Sequence, residues 1–339
     1  MKKYIMAVLI SLSALQVVAL VTLKKDPVYR DARRNGAQTK IELHIQDDDG
    51  TPVPDAKIKA YLGMNFRPLG TWINGTTDTN GVFVLEGKTC GDEIEVFVAK
   101  DGYYGSHVIY RYAKMGEERD VKDGKWQPYG AAEKIGLRKI KNPIRLVSNV
   151  ESMAYDFSIT VTNVAVGFDM MKNDWVAPYG AGDTSDFYLE FRSDGLPPNA
   201  SRFAQLIMTY SEPFGAVYEV PVATQSNFKG CYTVDGDKFG TRPFLFENRM
   251  TESGRQIDRL GENRLFVVRS RCKVDEHGRL VSANYATLDY LSFSTSFKGP
   301  GGCRLCYHFN PTPNDSNLEP KSPERKSPYF PPCTPSESK

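Results

Sequence analysis

The chain has 339 residues, room for two domains of ordinary size, each able to bury a core. Its 43 lysines and arginines against 41 aspartates and glutamates leave a net charge of +2, which excludes the electrostatic footprint of a nucleic-acid-binding surface. Aromatic residues at 12%, with 28 glycines and 21 prolines, suit a β-rich protein with many turns.

Met1-Lys2-Lys3 is a short basic start, and Tyr4 to Leu23 is an uncharged, mostly apolar run. That is the outline of an export signal, with Val17-Val18-Ala19 offering small residues for cleavage after Ala19. A run of 20 uncharged residues is also long enough to span a bilayer as a helix. Segment 1–25 therefore reads as a signal peptide or as a membrane anchor retained through residues 4–23. Lys24, Lys25, Arg30, Arg33 and Arg34 follow the run, and basic flanks favour the cytoplasmic side, against the export reading. No cysteine ends the run, so nothing marks a lipid anchor.

Segment 41–112 organises the chain. Ile41, Leu43 and Ile45 alternate with Glu42, His44 and Gln46, the period of a strand with one buried face. Asp49-Gly50 then supplies the positive φ of a tight turn. On the return, Ala56, Ile58, Ala60 and Leu62 face one way and Lys57, Lys59 and Tyr61 the other. Asn80-Gly81 opens a run from Val82 to Leu85, apolar on both faces and expected in the middle of its sheet. Ile94, Val96 and Val98 form a further strand closed by Asp101-Gly102. No window sustains a helical period, and the segment is predicted to be all-β.

The run from Asp49-Gly50-Thr51-Pro52-Val53-Pro54-Asp55-Ala56-Lys57-Ile58, then Thr77-Asp78-Thr79-Asn80-Gly81-Val82-Phe83, then Lys100-Asp101-Gly102-Tyr103, resembles the carboxypeptidase regulatory-like domain. The resemblance implies a transthyretin-like β-sandwich of the kind found in exported bacterial proteins, serving as a non-catalytic accessory, adhesive or spacer module. It carries over no catalytic residue.

Segment 113–145 reads as a polar connector that includes the charge run Met115 to Asp120. Segment 146–310 reads as a second β-rich domain, a sandwich or jelly roll. Its strands are expected at Phe157 to Val161, Phe187 to Phe191, Phe203 to Tyr210, Leu265 onward, Leu280 to Phe293 and Leu305 to Phe309, with a hairpin turn at Asp275-Glu276-His277-Gly278. Leu137 to Ile144, Gly167-Phe168-Asp169, Asp174 to Gly180 and Asn310 to Asp315 make this region similar to an uncharacterised domain that follows such sandwiches in exported bacterial proteins. That resemblance implies a fold and no mechanism. Segment 311–339 is rich in Pro, Ser and Lys and reads as a disordered tail.

Two Trp-Pro-Tyr turns are the leading ligand contacts: Trp126 with Tyr129, and Trp175 with Tyr179. Rigid aromatic faces on loops stack on sugar rings or seat a partner's side chains. The competing expectation is that both tryptophans plug the ends of the second sandwich.

Six cysteines permit structural disulfides, with Cys231, Cys272, Cys303 and Cys306 as the candidates. Cys303 and Cys306 have CxxC spacing, but on a strand they point to opposite faces and do not share a metal. Cys90 is expected buried, and Cys333 lies in the tail. His44, His107, His277 and His308 are scattered. The acidic turns Asp47-Asp48-Asp49 and Asp235-Gly236-Asp237 lack the rest of a calcium loop. No metal or cofactor is expected.

These readings lead to an exported, non-enzymatic binding or structural module of the cell envelope, with an envelope protein or a glycan as partner. The rival is a carbohydrate-active hydrolase. In it, Asp174 and Asp186, within the group Asp169, Asp174, Asp183 and Asp186, would be the paired carboxylates.

Overall fold

The computed structural model describes residues 27–63, 70–112, 121–150, 156–196, 201–210, 213–222, 225–240, 242–251, 254–257, 264–295 and 299–321. The proposed signal or anchor, the charge run 115–120 and residues 322–339 lie outside them. Among the described residues no helix is long and apolar enough to cross a membrane. The described residues are almost all β, with one short α-helix, and divide into two compact units, one running to Ile140 and taking in residues 225–228, the other holding most of the rest.

The first described element of this unit is a short helix, α1 (Pro27–Asn35). Proline suits its first position, and Gly36 ends it at φ +84°, donating its N–H to the Ala32 carbonyl at 2.8 Å. The strands follow as β1 (Ala37–Gln46), β2 (Lys57–Leu62), β3 (Thr71–Thr76), β4 (Val82–Thr89), β5 (Glu93–Ala99) and β6 (Tyr103–Tyr104). Next come β7 (Ser106–Arg111), β8 (Val121–Lys122), β9 (Lys125–Trp126), β10 (Ala131–Gly136) and β11 (Arg138–Lys139). One sheet runs β10-β1-β9-β8 with β4 also on β1, and a second runs β3-β2-β5-β7. Ile41, Leu43 and Ile45 bury against Ile58, Ala60, Leu62, Val96 and Val98. The period-two pattern of β1, β2 and β5 is thus the pattern of a sandwich interior.

Two expectations for this unit are corrected. Among the described strands β4 pairs only with β1, and Val84 is exposed, so the run from Val82 lies at an edge of the described sheet and not at its centre. The described part of 113–145 does not behave as a connector. β10 joins β1 in parallel from Ile41↔Ala131 to Gln46↔Gly136, and Leu137 is fully buried.

The second unit contains β12 (Val147–Ser148), β13 (Asp156–Ile159), β14 (Ala165–Asp169), β15 (Asp174–Trp175), β16 (Phe187–Ser193) and β17 (Phe203–Thr209). It continues with β18 (Ala216–Pro221), β19 (Phe244–Thr251), β20 (Gly254–Ile257), β21 (Arg264–Val274), β22 (Leu280–Ser294) and β23 (Gly301–Asn310). One sheet has the order β12-β23-β22-β21-β18, with β13 also on β23, and the other β15-β14-β16-β17-β19-β20. Phe168, Phe187, Phe191, Leu206, Phe246, Phe266, Leu288, Leu305 and Tyr307 pack in one core drawn from both sheets.

The expectation of a disordered tail from residue 311 is corrected for residues 311–321, and the remainder lies outside the described residues. Residues 311–321 are held on the second unit by isolated main-chain bridges, Ile144↔Pro320 and Thr233↔Asn317, and by asparagine side chains that satisfy further main-chain groups. Asn310 Nδ2 donates to the Asp315 and Asn317 carbonyls, and Asn317 Nδ2 to the Asn142 carbonyl at 2.7 Å. Leu318 is buried against Tyr218, Leu265 and Val267. Glu319 is buried too, its carboxylate accepting the N–H groups of Lys141 at 2.8 Å and Asn142 at 2.6 Å.

Candidate functional site

The two Trp-Pro-Tyr turns do not form a contact surface. Trp126 is fully buried in the first unit, its indole N–H donating to the Thr89 carbonyl at 2.9 Å. Its ring stacks on Tyr112 at 5.5 Å and meets Tyr29 edge-on. Trp175 is buried in the second unit, where it donates to the Ser158 carbonyl at 3.0 Å and packs edge-on against Phe157 and Phe168. Each large ring has thus found both an apolar bed and an acceptor for its polar atom, the requirement for burying an indole. The expectation that both plug the second sandwich is corrected for Trp126. Of the tyrosines, Tyr179 packs on the second core, and Tyr129 is exposed with the Lys125 ammonium 4.8 Å from its ring centre.

The acidic group of the second unit is brought together and consumed. Asp169 Oδ1 accepts the N–H groups of Met171 and Lys172 and the Arg271 Nη2, and its Oδ2 those of Asp183 and Thr184. Asp186 is fully buried, bound by Ser270 Oγ at 2.7 Å, Arg271 Nε at 2.8 Å and the Met170 N–H at 2.8 Å. Asp174 accepts the N–H groups of Trp175 and Ala181, both at 2.8 Å. Burial opposes ionisation of Asp169, but the N–H groups of Asp183, Thr184 and Lys172 and the Arg271 charge outweigh it and hold the carboxyl below the ordinary range. Burial likewise opposes the charge of Arg271, but its contacts with Asp186, and then with Asp169, outweigh it and raise its pKa. Asp183 is the exception, exposed beside Lys172 at 3.5 Å.

None of the suggested cysteine pairings forms. Cys303 faces the core between the sheets while Cys306 lies on the other face of β23, Cys231 packs near Leu318, and Cys272 sits on β21. Burial pushes the Cys303 thiol up to about 12 and the Cys306 thiol up to about 11, the latter helped by Asp289, so neither is a thiolate at neutral pH. The histidines stay apart. His44 is beside Glu42, His107 beside Glu95, His277 beside Glu276, and His308 Nδ1 lies 2.6 Å from Asp289.

The acidic turns serve as turns. Asp47 accepts the N–H groups of Asp49 and Thr51 and meets Lys139 Nζ at 2.6 Å, and Asp235 caps a short 3₁₀ turn. No group of three or more His, Cys, Asp or Glu among the described residues is arranged to hold a metal ion.

Two surfaces that the sequence reading passed over are left. On the outward face of β3-β2-β5-β7, four rings cross the strands: Tyr61 to Trp72 at 4.9 Å, Trp72 to Phe97 at 6.1 Å, and Phe97 to His107 at 4.3 Å with planes 1° apart. The Lys59 ammonium stands 4.6 Å from the Trp72 ring. Their faces are largely spent on one another, which is why Phe97 is buried on an outward face. In the second unit an open groove of about 560 Å³ is lined by residues of β13, β19, β22 and β23, among them Asn248, Tyr290, Ser292 and Arg304. Alternation in β22 was the available signal for it: Tyr290, Ser292 and Ser294 are the polar positions between buried Leu291 and Phe293.

No family model matches the chain, and no curated protein matches it. Among solved structures it is similar to 3-chlorocatechol 1,2-dioxygenase from Rhodococcus opacus 1CP, at 14% identity and a TM-score of 0.23, covering 31% of this chain and 61% of that one. Catechol 1,2-dioxygenase from Acinetobacter sp. ADP1, inhibited by bound mercury, gives 15% identity and 0.25, covering 32% and 54%. Hydroxyquinol 1,2-dioxygenase from Pseudomonas putida DLL-E4 gives 11% and 0.23, covering 31% and 57%. The chain spans less than two thirds of each of these proteins, and likenesses at this level carry no argument about its activity.

Proposed function

We propose that this protein is an exported, non-enzymatic binding or structural module of the cell envelope, delivered by its apolar leading segment 4–23. The observation that carries the reading is the state of the carboxylates. Asp169, Asp174 and Asp186, which hydrolysis would need with free oxygens, are bound by main-chain N–H groups and by Arg271. A glycosidase needs one carboxyl free to give a proton and another free to attack or to activate water. These oxygens hold loops and sheets in place instead.

The motifs of residues 49–58, 77–83 and 100–103 add support, since they resemble the carboxypeptidase regulatory-like module of exported proteins. Their turn residues work as such motifs require: Gly50, Gly81 and Gly102 all take positive φ. At Gly81 a side chain would also meet the Ile45 carbonyl at 2.5 Å.

Cell fractionation followed by immunodetection tests this reading. Recovery in the envelope or outside the cell is expected, and recovery in the cytosol overturns it.

A further inference from the structure

We propose that the groove of the second unit binds a neutral, hydroxyl-rich glycan. The proposal rests on the binding reading above and names its ligand.

The groove's floor is written in the strand register. Ser292 on β22 stands opposite Arg304 on β23, and Arg304 opposite Asp156 on β13. In the next row Ser294 stands opposite Gly302, and Gly302 opposite Ser158. The glycine leaves a hollow between two serine hydroxyls on the flanking strands. Through this stretch β23 is paired on both sides, so it presents side chains to a ligand and has no free strand edge.

The polar groups are matched to a ligand without charge. Arg304 grips Asp156 by Nε to Oδ1 at 2.8 Å and Nη2 to Oδ2 at 3.1 Å. A paired guanidinium and carboxylate cancel as charges, yet each keeps hydrogen-bonding capacity for hydroxyls. An anionic or cationic ligand would have to break the pair to gain from either member. Ser158, Ser292, Ser294 and Tyr290 add four hydroxyls, each both donor and acceptor, which is the pattern that sugar hydroxyls complement.

A further observation points to a missing donor. Asn248, on the groove wall, gives its Nδ2 to the Phe293 carbonyl at 2.6 Å, and its buried Oδ1 has no hydrogen-bond partner among the described residues. Buried acceptors are rarely left so, and a small turn of the Asn248 amide toward the groove would let a ligand hydroxyl satisfy this one. At about 560 Å³ the groove has the capacity of an ordinary small-ligand site.

The test is calorimetric titration of the full-length protein with cellotetraose, maltotetraose and chitotetraose, with polygalacturonate and a Gly-Ser peptide as controls. Saturable binding of at least one neutral tetrasaccharide is expected, weakened roughly tenfold or more in Gly302→Leu. That side chain fills the hollow, while its Cβ meets only the Phe157 carbonyl at an ordinary 3.5 Å. If Gly302→Leu does not fold, Ser292→Ala decides, with several-fold weakening expected. The proposal is overturned if none of the three sugars binds at millimolar concentration, if the folded variant binds as well as the parent, or if polygalacturonate or the peptide binds more tightly than the sugars. Failure here together with recovery in the envelope fraction would leave the proposed function standing without this ligand.

Discussion

Arg271 holds Asp186 in a two-point grip, Nε to Oδ1 at 2.8 Å and Nη2 to Oδ2 at 3.0 Å. It reaches that position from a β-bulge between Ser270 and Lys273, with φ at +49°, a conformation that L residues seldom adopt. The same guanidinium binds Asp169 and lies 5.1 Å from the Phe309 ring centre. Three strands and the loop before β16 are therefore tied through one side chain. Removing one partner of a buried pair leaves an uncompensated charge, which costs more than the pair itself contributes. Arg271→Met should lower the stability of the second unit by about 3–5 kcal/mol, measured by urea denaturation. A loss below about 1 kcal/mol would mean that the clasp is dispensable.

The depressed Asp169 carboxyl gives a pH dependence. A carboxyl held below its unfolded value, near 3.9, stabilises the fold fully above that value and loses the contribution as pH falls through its lower folded value. Asp169→Asn should therefore be less stable than the parent at pH 7, and the gap should narrow as the pH is lowered below about 4. Denaturant titrations at stepped pH check this, and a gap independent of pH would contradict it.

Trp126 and Tyr129 should separate cleanly although they share one turn. Trp126→Ala opens a hole in a packed core and should cost about 3–5 kcal/mol. Tyr129→Ala alters an exposed ring and should stay within about 0.5 kcal/mol. Thermal unfolding of the two variants measures both.

The described end of the chain should matter to stability. Leu318→Ala removes a buried side chain and should cost about 2–5 kcal/mol. Glu319→Gln keeps the shape but puts a donor where the Lys141 and Asn142 N–H groups need acceptors, and should destabilise the second unit by about 1–3 kcal/mol. Equal stability of both variants and the parent would show that the 311–321 clasp contributes nothing.

Local pattern revealed the strands but not their company. The alternation of Ile41, Leu43 and Ile45, the Asp-Gly turns, and the polar-apolar run of β22 all appear in the sequence because period two and positive φ are local properties. β3 escaped because Trp72 and Ile73 are both half-buried in a strand without clean alternation. β10 escaped because its pairing with β1 spans 90 residues from Ile41 to Ala131 and only Ile135 of its residues is buried, so no apolar alternation marks it. The fold-back of 311–321 depends on isolated main-chain bridges to distant residues and on asparagine amides meeting main-chain groups, which no hydrophobic period announces. The same limit applied to the site. Tryptophan beside a proline turn is visible in sequence, but whether the ring faces solvent depends on the opposing sheet. Likewise, the spending of the Asp169 and Asp186 oxygens depends on Arg271, 85 residues beyond Asp186.

The most direct measurement is where the intact protein resides in the cell that makes it. Fractionation, with the intact mass of the recovered chain, should place it in the envelope or the medium, either cut after Ala19 or held in the membrane with residues 4–23 intact. Recovery of the uncut chain as a soluble cytosolic protein would contradict an envelope module outright.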